Sequence, residues 1–263
     1  MTGQHENGPR RPLGAQISHL LKSRGVEVIF GIPGVHNQEM YRGIEEAGLT
    51  HVLARNEQGA GFMADGYARA SGQPGVAYVI TGPGLTNIMT PLGQAHSDSV
   101  PVLVISSCLD ETAATRGQLH QMPDQAGAAG CVCAWSHEAR DAASAYALID
   151  RALTEFAVQR PRPRHVQVPI RALEALADSP SAPAAPLESP ARPVAAAAEI
   201  AAELRTARKP LFVFGGGAVG AAEDWGEVVQ RSGAASFTTY AGRGIAAGHA
   251  LDFGPFLARP DSA

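Results

Sequence analysis

The carboxylate of Glu57 stands where a short apolar run, Val52-Leu53-Ala54, gives way to helical spacing. Ala60, Ala64 and Ala68 then fall on one face, with Met63, Tyr67 and Ala70 beside it, and Gly72 ends the pattern as a C-terminal stop. Glu57 therefore occupies the first turn of a helix at the end of a strand, the edge where open α/β sheets place their ligands. An acid in that position complements the helix dipole. It can also stand beside a bound ligand. The small residues Gly59, Ala60, Gly61 and Ala64 behind it favour the second use, because they let another backbone or a flat ligand approach closely.

Two glycine turns repeat the strand–turn–helix arrangement nearby. Gly31-Ile32-Pro33-Gly34 follows the run Val26–Phe30, and Thr81-Gly82-Pro83-Gly84, with Asn87 beyond it, follows Val76–Ile80. Both bring bare backbone to the sheet edge that carries Glu57. Asp98, in Ala95-His96-Ser97-Asp98-Ser99, reads as a turn former and not as a catalyst. A third glycine segment, Gly215-x-Gly217-x-x-Gly220, satisfies the dinucleotide fingerprint in form. The carboxylate that fingerprint requires about 20 residues on is absent, since Thr238-Thr239-Tyr240 stand there, so NAD is not expected. Cys131 and Cys133 are spaced as neighbours on one face of a strand, and all the cysteines, Cys108 included, are expected as buried free thiols without zinc.

The elements that position these residues alternate. A helix over Leu13–Arg24, the strand Val26–Phe30, a helix over about Asn37–Ala47 and the strand Thr50–Leu53 lead to the Glu57 helix. The strand Val76–Ile80, a helix to about Ser97 and the strand Val100–Ser106 follow, and a helix over about Asp141–Gln159 and the strand Arg164–Val168 close the unit. Continuous apolar strands alternating with helices predict an α/β fold, a parallel sheet with helices on both faces. After a polar tail over residues 1–12, the first domain spans 13–176 and a Pro/Ala linker 177–193. Residues 194–263 read as an incomplete Rossmann-like domain. It begins with a helix over Val194–Arg208 and the strand Leu211–Phe214, continues with a helix from Gly215 to about Ser232, and ends in the strand Ala235–Thr239. So few strands cannot bury both faces of a sheet.

Composition excludes several classes. The 263 residues carry a net charge of −4 with cations scattered, which argues against nucleic acid and anionic membrane surfaces as partners. The first residues lack the apolar centre of a signal peptide, and no run reaches the roughly 18 apolar residues of a membrane span, so a cytoplasmic protein is expected.

The run Arg-Asn-Glu-Gln-Gly-Ala-Gly-Phe-Met-Ala-Asp-Gly-Tyr-Ala-Arg around Glu57, with Gly-Ile-Pro-Gly and Thr-Gly-Pro-Gly-Leu-Thr-Asn, resembles the thiamine-diphosphate enzymes of the acetolactate synthase and 2-oxo acid decarboxylase group. The resemblance implies a pyrimidine-binding first domain in which Glu57 bonds N1′ of the cofactor and promotes loss of the thiazolium C2 proton. Pro33, Gly34, Thr81, Gly82, Gly84 and Asn87 would line the aminopyrimidine pocket. In the loop Arg116–Gln125, either His120 or Gln121 would face the reacting carbons, a solvated loop histidine being the alternative. No metal ligand is expected in this chain, because the family's Mg²⁺ motif, Gly-Asp-Gly…Asn, lies in a later domain; FAD is an option that nothing in residues 194–263 supports. The runs look most like 5-guanidino-2-oxopentanoate decarboxylases, with acetolactate synthase-like carboligases close behind. The expectations are a fragment of a longer enzyme acting on a small 2-oxo acid, homo-oligomeric, with its active site at a subunit interface. A catalytically inert chain that only pairs with another subunit is the alternative of a different class.

Overall fold

The computed structural model describes residues 8–110, 116–181 and 194–256. The polar tail up to residue 7, the Pro-rich stretch 182–193 and the residues from 257 onward lie outside the described residues. The chain divides into two compact units, Met1–Pro190 and Ala191–Ala263.

In chain order the first unit comprises β1 (Arg11–Pro12), α1 (Leu13–Ser23), β2 (Val28–Gly31), α2 (Gln38–Glu46), β3 (Thr50–Leu53), α3 (Glu57–Ser71), β4 (Gly75–Val79) and α4 (Pro83–Asp98). It continues with β5 (Val102–Cys108), α5 (Gln125–Gly130), β6 (Trp135–Glu138), α6 (Ala142–Val158), β7 (Arg164–Pro169), α7 (Ile170–Glu174) and β8 (Leu176–Ala177). A six-stranded sheet runs β3-β2-β4-β5-β7-β6, and every pairing in it is parallel. The central strands β4 and β5 are buried along their whole length, which is why they read as unbroken apolar runs.

Successive β4 residues divide between two cores. Val76 and Tyr78 join Leu13, Ile17, Leu20, Ile149 and Phe156 on the α1/α6 face. Ala77 and Val79 join Ala60, Ala64, Ile88 and Leu92 on the α3/α4 face. This is the two-residue period of a strand covered on both sides. The α3 face made by Ala60, Ala64 and Ala68 is buried as its spacing predicts, and Gly72 ends the helix at φ 73°. Small residues on α3 have a steric reason. A Cβ on Gly61 would meet Ile88 and Pro91 of α4, and one on Gly75 would overlap the backbone of Ala64.

Several expectations need correction. Asp98 is the last residue of α4 and pairs with Arg69 at 2.8 Å, and the turn belongs to Ser99 at φ 64°. Arg69 also holds Asp65, so Asp98 fastens α4 to α3 instead of shaping a loop. Cys131 and Cys133 do not share a strand. They follow the unpredicted helix α5, where Cys131 is its exposed C-terminal cap and only Cys108 and Cys133 are buried. Burial pushes the Cys133 thiol up to about 12. Arg11 and Pro12 pair antiparallel with Leu176 and Ala177, and Gln16 donates to the Ala177 carbonyl at 3.1 Å.

The second unit holds α8 (Val194–Thr206), β9 (Leu211–Phe214), α9 (Ala222–Ser232), β10 (Ala235–Thr238) and β11 (Asp252–Pro255), with a parallel sheet ordered β11-β10-β9. Its core is small, centred on Phe214, Val229 and Ile245, while Leu211 and Val213 remain exposed. The glycine segment does not open α9 directly, as the fingerprint would require. A 3₁₀ helix over Gly216–Ala221 intervenes, and a Cβ on Gly217 or Gly220 would meet nothing within 4 Å. Among the described residues no helix is long and apolar enough to cross a membrane.

These contacts separate two glycines close in sequence. Gly75→Ala is expected to destabilise the first unit by about 1–3 kcal/mol, because the Ala64 backbone must move. Gly66→Ala, exposed within α3 with open space around its Cβ, is expected to stabilise by about 0.5–1 kcal/mol. Urea midpoints of the two variants should move in opposite directions.

Candidate active site

Glu57 is the first residue of α3. Asn56 caps the helix, its side chain accepting from the Gln58 N–H at 2.8 Å, which fixes where the helix starts and so where Glu57 sits. From the first turns of α4, Asn87 donates to Glu57 Oε2 at 2.9 Å. Among the described residues Oε1 accepts no hydrogen bond, and Glu57 is half-buried. Tyr41 of α2 lies within electrostatic reach. Its pKa is raised by burial first, then by Tyr78 and by Glu57, so its phenol stays neutral, 3.3 Å from the Tyr78 carbonyl.

Asn37 holds the first glycine turn, a residue that the sequence reading did not single out. Its buried amide accepts from the Gly34 N–H at 2.7 Å and donates to the Ile32 carbonyl at 3.3 Å, leaving Pro33 exposed. The spacing Gly34-x-x-Asn37 was the available signal, since Asn side chains commonly close such turns. Ile80 then links this turn to the next. A Cβ on Gly34 would lie 2.7 Å from Ile80 Cδ1 and one on Gly84 2.6 Å from Ile80 Cγ2.

The second turn is fastened to the end of β5. Buried Thr81 donates its N–H to Ser107 Oγ at 3.1 Å, with the hydroxyls of both 2.9 Å apart. The Gly82 N–H donates to Gln125 Oε1 at 2.8 Å. Gly82 has φ 65°, and a Cβ there would overlap the His120 carbonyl. His120 itself has φ 63°, an uncommon conformation for a residue with a side chain. Its ring meets that of His36 edge to face at 5.3 Å, and Nδ1 of each is buried without a partner. Burial first, then His120, lowers the His36 pKa.

The fold thus brings His120 against the turns, whereas the Gln121 side chain accepts from Gly117 N–H within its own loop. Pro33, Gly34, Glu57, Thr81, Gly82, Gly84 and Asn87 all lie at the carboxyl edge of the sheet. The sequence reading missed the buried polar group beneath them. Gln125 donates to Ser106 Oγ and the Ser107 carbonyl, and Ser106 and Ser136 hydroxyls lie 2.7 Å from Nε2 and Nδ1 of His165. Ser106-Ser107 at the end of an apolar strand was the one visible signal. A cleft of about 270 Å³ lined by Tyr67, Gln73, Pro74, Pro101 and Phe156 lies at the opposite ends of the strands and contains none of these groups. Among the described residues, no group of three or more His, Cys, Asp and Glu could hold a metal ion.

Residues 11–128 match the family described as thiamine pyrophosphate enzyme, N-terminal TPP binding domain. Glu57 and the turns that carry Pro33, Gly34, Thr81, Gly82 and Gly84 all fall within the matched stretch. Over 236 residues the chain is 45% identical to a probable 2-ketoarginine decarboxylase of Pseudomonas aeruginosa, covering 88% of this chain and 42% of that one. It is 33% identical over 202 residues to the acetolactate synthase large subunit of Lactococcus lactis subsp. lactis, covering 75% of this chain and 35% of the relative. Both matches span less than half of the relative's length.

The polar group beneath the turns has a pH signature. Burial lowers the His165 pKa to about 3, so the folded protein keeps the ring neutral where an unfolded chain protonates it below about 6.5. Unfolding therefore takes up a proton between these values, and stability falls as pH drops through that window. His165 is expected to account for ~2–3 kcal/mol of loss between pH 6.5 and 4.5. In His165→Gln the slope of unfolding free energy against pH, measured in urea, should fall by close to one proton; an unchanged slope would assign the titration to another group.

Proposed function

We propose that this chain supplies the aminopyrimidine side of a thiamine-diphosphate site in an enzyme that removes carbon dioxide from a 2-oxo acid. Glu57 carries the reading. It is a half-buried carboxylate at a helix start, with one oxygen held by Asn87 and the other open, on an edge built from bare-backbone turns. The donor chemistry fits the group, since a ring nitrogen needs one proton-sharing oxygen and a flat ring needs walls without side chains. When bound, thiamine diphosphate supplies an acidic ring carbon that adds to the substrate's oxo carbon and accepts the electrons left by carbon dioxide.

The chain's own residues then have separate tasks. Glu57 Oε1 shares a proton with the pyrimidine N1′, while Asn87 keeps the carboxylate from turning away. The neutral Tyr41 phenol adds no second charge beside it. Pro33, Gly34, Thr81, Gly82 and Gly84 present the turns to the ring, and His120 is the candidate to face the substrate, with Gln121 as the second choice. Mg²⁺ is proposed as the counter-ion of the diphosphate, held by other residues than these. The substrate proposed is 2-ketoarginine, which is 5-guanidino-2-oxopentanoate, after the relative at 45% identity. Likeness to acetolactate synthases supports a second reading, a carboligase joining two 2-oxo acids. Exposed Val35, Leu53 and Leu119 near the site support a homo-oligomer that covers this edge.

In the full-length enzyme, Glu57→Gln is expected to keep the fold and to slow exchange of the thiazolium C2 proton by about 10²–10⁴-fold. Asn87→Ala, which only loosens the carboxylate, should slow it less. Proton NMR of the bound cofactor in deuterated buffer measures both. Exchange at the native rate in the Gln variant would show that Glu57 is not the activating acid.

A further inference from the structure

We infer that Gln125 is a positioning residue for the site, a buried amide that fastens the Thr81–Gly84 turn and the His120 loop to the same point on the end of β5. The inference deepens the thiamine-diphosphate reading and rests on it for its catalytic consequence. Gln125 is buried at the first position of α5, where Asp124 caps the helix by accepting from the Gly127 N–H at 2.7 Å. Its side chain uses every kind of bond an amide offers. Oε1 accepts from Gly82 N–H at 2.8 Å, and Nε2 donates to the Ser107 carbonyl at 2.9 Å and to Ser106 Oγ at 3.1 Å. Only one orientation of the amide meets an N–H on one side and a carbonyl on the other, so the neighbours fix it.

The anchor beneath is equally determined. Ser106 Oγ accepts from Gln125, which leaves the hydroxyl proton for His165 Nε2, so His165 donates from Nδ1 to Ser136. Gln125, Ser106 and His165 each have their partners on both sides, and such networks hold one geometry. Above it, Gly82 is gripped twice by the same stretch of chain. Gln125 takes its N–H, and the His120 carbonyl occupies the space a Cβ would need. Gly82 caps α4, and α4 carries Asn87, which holds Glu57 Oε2. Gln125 therefore acts on Glu57 through Gly82, α4 and Asn87, and on His120 through its own loop.

The test compares Gln125→Met, similar in length but without the amide, with the native full-length enzyme. Amide hydrogen exchange at Gly82 reads the fastening with no cofactor present, and C2-proton exchange of bound thiamine diphosphate reads its consequence. The variant is expected to exchange Gly82 at least about tenfold faster and the C2 proton about tenfold slower, with the substrate KM changed less than kcat. Native protection at Gly82 would overturn the inference. Faster Gly82 exchange with an unchanged C2 rate would also overturn it, since Gln125 would then be structural only. If the native enzyme itself shows no thiamine-dependent C2 exchange, the functional reading fails, and the Gly82 comparison still decides whether Gln125 fastens the turn. Should the Met variant not fold, Gln125→Asn carries the same readouts, its amide being one methylene too short to reach Gly82 and Ser107 together.

Discussion

Gly82 has no freedom left. Its N–H is taken by Gln125, the space of a Cβ is filled by the His120 carbonyl, and φ 65° excludes most side chains. The rest of the edge is built outward from this point. Gly82 starts α4, so its direction sets the first turns of that helix, and Asn87 on those turns sets Glu57. Ile80, just before the turn, is closed upon by Gly34 and Gly84, which ties the neighbouring turn to the same frame. A side chain at any of these glycines would separate loops that have to converge.

Close approach also explains the unusual helix α3. Its buried residues are three alanines, one glycine and Asp65, a composition that stabilises little by area. What it gains is proximity, since Gly61 admits Ile88 and Pro91 of α4 and Ala64 lies against Gly75 of the sheet. The ion pairs from Arg69 to Asp65 and Asp98 add a polar link between α3 and α4, at the end of α3 far from Glu57. Bulk burial falls instead to the other face, where Leu13, Ile17, Leu20, Met40 and Ile149 pack. One face of the sheet carries most of the large apolar side chains while the other holds two helices in register near the site.

Much of this was legible in the sequence because local rules and tertiary structure agree there. The buried strands are unbroken apolar runs, and α3 has a capping Asn56, an alanine face and Gly72, so its bounds follow from its residues alone. The edge strand β6 was missed because Trp135-Ser136-His137-Glu138 has neither an apolar run nor a turn signal to bound it. Asp98 was taken for a turn residue because its partner Arg69 is distant in sequence and adjacent only once α3 and α4 pack. The same holds for Gln125, Ser106 and His165, whose hydrogen bonds join three separate elements. His120 and Gln121 could not be separated by type. Their surroundings differ: His120 has φ 63° with its carbonyl against Gly82, while the Gln121 side chain turns back to Gly117.

The electrostatics of the edge follow from the same packing. Burial keeps Tyr41 and Tyr78 protonated and His165 neutral, and it lowers the pKa of His36. The groups packed behind the turns are therefore neutral donors and acceptors, arranged to hold backbone, and Glu57 is the carboxylate set among them. Such surroundings neither pair with that charge nor oppose it, apart from the single amide of Asn87. Among the described residues that carboxylate is held by the Asn87 amide and by no arginine or lysine. The frame beneath the turns is accordingly built from amides, hydroxyls and neutral imidazole, which hold backbone through hydrogen bonds in one geometry.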